Sequence, residues 1–196
     1  MANEYLFKEY ELCFEQLRFY DSRAESLLKY LCTLTSSVTI ALFAVYQLEH
    51  GASVGFYKCA MFLAGLVFIA TLLLILAMIQ NRLYFVYVAR QLNAIRGYLM
   101  EVAADGFTNN QLYTSTDFPA LKPASIHTIQ LLCAALISSQ FGGVVVYTAS
   151  LAVGESVSPY AIALAISVVF VAEMVVSLIC LSESKKTADS AIHSNK

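Results

Sequence analysis

A chain of 196 residues that is 59% hydrophobic and 13% charged, with a mean hydropathy of +0.66, is not composed like a water-soluble domain, in which about a quarter of residues carry charge. Twelve Lys and Arg against 14 Asp and Glu give a net charge of −2, and no basic run exists to follow a nucleic-acid backbone. No stretch shows the roughly 10-residue alternating strands of a transmembrane β-barrel, so an all-α protein that takes the lipid bilayer as its solvent is expected.

Residues 1–27 carry a polar stripe at alternating spacings of three and four: Glu4, Lys8, Glu11, Glu15, Arg18, Ser22 and Glu25, continued by Lys29. Leu6, Tyr10, Cys13, Leu17, Tyr20 and Ala24 fall on the opposite face, which predicts an amphipathic helix. Helices that lie on lipid usually carry Lys and Arg on the polar face. The acidic stripe here predicts packing on another protein helix. The segment lacks the basic start and short apolar run of a cleaved signal, so the first span is expected to act as its own insertion signal.

Between Lys29 and Glu49 there is no charged residue, nor between Lys58 and Arg82. A helix needs about 20 apolar residues to cross the hydrocarbon core, so spans are predicted at 28–48 and 57–80, joined by a turn at Glu49–Phe56. Span 1 holds a cluster of small hydroxyl residues, Thr33, Thr35, Ser36, Ser37 and Thr39, that would permit close helix approach. The domain expected at 81–125 opens with a continuation of span 2 through Asn81–Ala104. Tyr84, Val88, Leu92, Ile95, Leu99 and Val102 are helically spaced in it, with Arg82, Arg90, Asn93 and Arg96 on another arc. These arginines pair with Glu4, Glu11 or Glu15, contact lipid headgroups, or hold a small anionic ligand, since Arg offers a fork of donors to phosphate. Gly106 is expected to end this helix. Pro119 and Pro123 then keep the connection irregular, and Phe107, Tyr113 and Phe118 suggest that it folds onto something.

Charge-free runs from Lys122 to Glu155, and from Glu155 to Glu183 broken only by Glu173, predict spans at 126–149 and 160–182 around a turn at Leu151–Pro159. Gly142-Gly143 in span 3 would allow a close helix contact. Residues 183–196 read as a polar, mobile tail. Eleven of the twelve Lys and Arg flank the same ends of the spans; only Lys58 lies in a hairpin turn. Basic flanks stay in the cytoplasm, so both termini and the middle segment are expected there. Tyr46, Tyr57, Tyr147 and Tyr160 mark the opposite ends, where a half-wet ring sits well. The expected fold is an all-α, integral membrane four-helix bundle of two antiparallel transmembrane hairpins (28–80 and 126–182), with N-terminal and central cytoplasmic helices. The expected location is multi-pass, in a bacterial inner (plasma) membrane.

Polar groups inside the spans are the candidate functional residues. Glu173 in span 4, Gln140 in span 3, and Ser36 and Ser37 in span 1 lie near the midplane. A charge there costs about 2.5–3.5 kcal/mol on insertion scales. Ile166, Phe170, Glu173, Ser177 and Cys180 share one face of span 4; Cys133, Ile137, Gln140 and Tyr147 share one of span 3. Two readings stand: glue for helix pairing or oligomer contacts, or a polar lining for a cation path, as a ring of carboxylates in a symmetric oligomer would provide.

No catalytic, cofactor-binding or metal set is expected. His50, His127 and His193 form no H-E-x-x-H and no triad, no phosphate-binding glycine loop occurs, and the five cysteines include no C-x-x-C.

Over about its first half the layout of amphipathic helix, tight two-span hairpin and returning cytoplasmic helix loosely resembles the SLATT-type membrane effectors of bacterial defence systems. Spans 3 and 4 depart from that two-span plan. The resemblance rests on layout, without a residue motif, and implies a pore triggered by a cytoplasmic signal. The first expectation is a homo-oligomeric channel or pore-forming effector gated from its cytoplasmic helices. The alternative is a non-conducting scaffold or accessory subunit that binds a cytoplasmic protein. A small-molecule transporter, which would usually show more broken spans, comes third.

Overall fold

The computed structural model describes residues 2–102, 115–117 and 119–182. Among the described residues four α-helices run in chain order: α1 (Ala2–Leu48), α2 (Val54–Val102), α3 (Ile126–Ala152) and α4 (Pro159–Leu181). All four are long and apolar enough to cross a membrane, which fits a multi-pass membrane protein. No strand occurs among the described residues. At about 1.5 Å per residue, α1 (47 residues) and α2 (49 residues) are each about 70 Å long, more than twice a bilayer core of about 30 Å. The amphipathic segment and span 1 are therefore one unbroken helix, as are span 2 and its continuation. No proline interrupts either, and the two glycines within α2 past its first turn, Gly65 and Gly97, do not break it. Gly106, Phe107, Tyr113, Phe118 and the tail at 183–196 lie outside the described residues.

Both hairpin turns use the same device. Where α1 ends, the Gly51 N–H donates to the Tyr46 carbonyl (3.0 Å) and the His50 N–H to that of Gln47 (3.2 Å), with His50 at φ 55°. Where α3 ends, the Glu155 N–H donates to the Ser150 carbonyl (3.0 Å) and the Gly154 N–H to that of Leu151 (3.2 Å), with Gly154 at φ 81°. Each is a Schellman motif, satisfying carbonyls that the helix end would strand. A serine N-cap then starts the returning helix. Ser53 Oγ accepts from the Phe56 N–H at 2.9 Å, and Ser158 Oγ from that of Ala161 at 3.2 Å, with Pro159 in the first turn.

Adjacent helices are antiparallel throughout. Along α1 and α2, Tyr46 meets Phe56, Tyr20 meets Tyr84, and Tyr10 meets Arg96. Along α2 and α3, Phe68 lies against Gly142, Thr71 against Ser138, and Phe85 against His127. Along α3 and α4, Ser138 meets Glu173 and Gly143 meets Ile166. Thus α2 and α3 form the centre of the bundle, with α1 packed on α2 and α4 on α3.

Two apolar cores result among the described residues. One joins Leu31, Ile75, Ile79, Val86, Leu131, Ala134, Ala135 and Leu181. Ala134 and Ala135 are wholly buried, and small side chains there let α3 come close. The other lies between the extended ends of α1 and α2. Cys13, Val88, Leu92 and Ile95 are buried, with Tyr10, Leu17, Tyr20 and Leu99 against them. This is the pairing that the two apolar stripes predict. Ala120 and Leu121 reach back onto the first core, so the described end of the connection does fold onto the bundle.

Candidate functional site

A polar chain crosses the bundle at mid-span. Thr71 of α2, Ser138 of α3 and Glu173 of α4 are buried at one level, set there by the antiparallel register. Ser138 Oγ lies 2.6 Å from Glu173 Oε1, and Thr71 Oγ1 lies 3.0 Å from Ser138 Oγ. Thr71 Oγ1 is also 2.8 Å from the Phe68 carbonyl oxygen. A hydroxyl has one proton, so the chain runs in one of two directions. With Glu173 ionised, Thr71 donates to Ser138 and Ser138 to the carboxylate. With Glu173 protonated, the carboxyl donates to Ser138, Ser138 to Thr71, and Thr71 to the Phe68 carbonyl. The two arrangements use the same atoms and differ by one proton. One turn along α4, Ser177 Oγ donates to the Glu173 carbonyl at 2.7 Å.

Glu173 is only 7% exposed, and its second oxygen, Oε2, is buried without a hydrogen-bond partner among the described residues. The residue lines a groove of about 400 Å³ between α2 and α4, whose other walls are apolar: Phe68, Leu72, Ile75 and Leu76 on one side, Val169 and Val176 among those on the other.

The other mid-span candidates lie elsewhere. Gln140 is exposed on the outside of α3 and makes no hydrogen bond within the described residues. It shares that outer face with Leu132, Leu136, Val144 and Tyr147. Ser36 and Ser37 are exposed on α1 beside Cys32, Thr33 and Ile40. Thr35 and Thr39 bond back to carbonyls of their own helix, at 2.9 and 2.8 Å. The structure therefore gathers Glu173 with Ser138 and Thr71 and leaves Gln140, Ser36 and Ser37 on the bundle exterior at a similar depth. Sequence reasoning misses Ser138 and Thr71. The signal it offers for them is their position near the centres of spans 3 and 2.

Nearer the extended helix pair, Arg82 is buried. Its Nε donates to the Ala120 carbonyl at 2.9 Å, and its guanidinium lies 5.2 Å from the Phe85 ring centroid. Phe85 in turn meets the His127 ring at 5.2 Å, and His127 Nε2 is 3.4 Å from Asp21. Arg96 faces Tyr10, with both Nε and a terminal nitrogen 3.4 Å from its hydroxyl. Glu9 accepts from Gln91 at 2.7 Å. Arg82 and Arg96 are 14 residues apart, about 21 Å along α2, so one small anion does not bridge them. Arg96 instead shares a cleft of about 320 Å³ with Lys122, Asn93, Phe14 and Phe85.

No family model matches the chain, and neither does any curated protein or solved structure.

Proposed function

We propose that the chain is the subunit of a homo-oligomeric channel or pore-forming membrane effector, with both termini in the cytoplasm and the extended α1–α2 pair as its gate. The observation that carries this reading is the uncovered face of α1, where Thr33, Ser36 and Ser37 stand exposed at mid-span with no hydrogen bond among the described residues. Hydroxyls on a lipid-facing surface gain nothing from hydrocarbon. On a shared axis between copies they would meet water or one another. Gln140, exposed on α3 at a similar depth, supplies the contact between copies, because a bare primary amide in lipid strands two donors and an acceptor. The cytoplasmic side follows from the eleven basic residues that flank one set of helix ends. The cleft holding Arg96 and Lys122 opens beside the α1–α2 seam, where a small anionic ligand would act on the gate.

One observation favours the second reading, a non-conducting scaffold that binds a cytoplasmic protein. Tyr5, Leu12 and Phe19 recur every seventh residue on α1 and are 66%, 45% and 59% exposed, a seam suited to another helix. Reconstitution in planar bilayers tests the choice. Conductance that falls several-fold in Ser36→Leu/Ser37→Leu, with the oligomer intact, supports the pore. Absence of conductance at every voltage, with and without small anions, together with capture of a partner through residues 2–26, moves the protein to the scaffold class.

A further inference from the structure

We infer that the groove between α2 and α4 is a binding site for a lipophilic amine, whose protonated nitrogen pairs with the Glu173 carboxyl as its covered Oε2 turns toward the groove, and whose apolar body lies against Phe68, Leu72, Leu76, Val169 and Val176. Glu173 Oε1 has Ser138 as partner, while Oε2 is buried with none among the described residues, in a side chain 93% removed from solvent by its 7% exposure. A buried acceptor left bare keeps the penalty of losing its water without recompense, and the penalty grows when it is charged. The groove itself points the same way. Its volume of about 400 Å³ lies in the range of about 300–1,000 Å³ typical of small-molecule pockets, which pair apolar walls with a few placed polar groups. Here Glu173 is the only polar residue among the described residues that line it.

The chemistry selects the occupant. A lipid acyl chain would fill the walls and leave Oε2 bare. A fatty acid would bring a second carboxyl to the first. An alcohol would donate one hydrogen bond without balancing a charge. An ammonium both donates and neutralises, and a charge-assisted bond in a water-poor site is the strong kind. Its arrival also fixes the direction of the Thr71–Ser138–Glu173 chain, because an ionised Glu173 needs Ser138 as donor. The inference is independent of conduction, so a chain that binds the amine without conducting would still bear it out.

The test uses the full-length chain purified in detergent and radiolabelled 1-adamantylamine in a scintillation-proximity assay. Unlabelled 1-adamantanol and 1-adamantanecarboxylic acid, which share its hydrocarbon cage, serve as competitors. Saturable binding is expected, with both competitors about 10–100-fold weaker than unlabelled amine, the factor set by a charge-assisted hydrogen bond. Glu173→Gln should weaken binding by a similar factor. Ala172→Phe, at an exposed position on the groove wall, should abolish it while leaving the Ser138–Glu173 pair in place. No saturable binding, equal competition by the alcohol, or full binding to either variant overturns the inference. The competitor series and Ala172→Phe decide the matter even where Glu173→Gln does not fold.

Discussion

Glu173 is held by one oxygen, and its partner Ser138 is wholly buried. Truncating Ser138 to Ala would strand the carboxyl, which in a soluble core costs about 1–3 kcal/mol. Within membranes such couplings average about 0.6 kcal/mol and reach about 1.7, because the unfolded reference also finds partners. The membrane figure governs here, since both residues sit at mid-span. A double-mutant cycle of Ser138→Ala and Glu173→Leu, which removes the acceptor altogether, read by unfolding in mixed detergent–SDS micelles, should therefore give a coupling of about 0.6–1.7 kcal/mol; a value near zero would mean the pair is not formed. His50 offers the opposite kind of change. It holds a left-handed φ of 55° at the end of α1, a conformation costing a side-chain-bearing residue about 1–2 kcal/mol relative to glycine. His50→Gly should raise the apparent melting temperature, and a lower one would show that the imidazole is making an interaction worth more than the strain. Gly143 has no such latitude: a Cβ there would collide with Ile166. Gly143→Ala must displace the Ile166 side chain or part α4 from α3, so loss of stability in the same assay is expected.

The α1–α2 pair shows why part of the fold is legible in the amino-acid sequence. Its two faces announce themselves by spacing, because the apolar residues recur at helical intervals on one side and charged ones recur on the other. Cys13, Leu17 and Tyr20 on one helix and Val88, Leu92 and Ile95 on the other find each other in the fold. Within the spans that contrast disappears. Nearly every residue is apolar whichever way it faces, so rotation about the helix axis cannot be read. Gln140 therefore stands out in the sequence and Ser138 does not. They are two residues, about 200° of rotation, apart; the structure puts Ser138 inside and Gln140 outside. The pair of extended helices itself carries a chemical prediction. Burial, with Glu9 nearby as a smaller cause, holds the Cys13 thiol above its ordinary value of 9.0. A thiol raised on folding contributes stability that is complete below the ordinary value and declines as pH climbs from there through the folded one. Alkylation of Cys13 by iodoacetamide at pH 8 should consequently be slow in the native protein. Leu92→Ala, which removes a side chain 2% exposed at a cost of about 2–5 kcal/mol, should make it fast. Equal rates in the two proteins would mean that the seam does not shield the thiol.

At the scale of the whole molecule the bundle leaves its polarity unfinished. Inside, the hydroxyl and carboxyl groups of α2, α3 and α4 find one another. Outside, Gln140 on α3 and Thr33, Ser36 and Ser37 on α1 do not. The end helices are the least covered: most large residues of α4 from Tyr160 to Ile179 face outward, and apolar ones there need only lipid. An amide needs more. Its donors and acceptor have no water to turn to in hydrocarbon, and its own helix already uses its carbonyls. In the proposed assembly another copy meets them, which makes Gln140 the residue whose loss should separate assembly from folding. Gln140→Leu keeps the volume and removes the polar group, so each bundle should remain folded or gain slightly in stability, while crosslinking and light scattering in mild detergent shift from oligomer toward monomer. Gln140→Asn, which keeps the amide one methylene shorter, should retain part of the assembly. An oligomer of unchanged size in Gln140→Leu would place the contact between copies on a different face, and the exposed hydroxyls of α1 would then be the next surface to substitute.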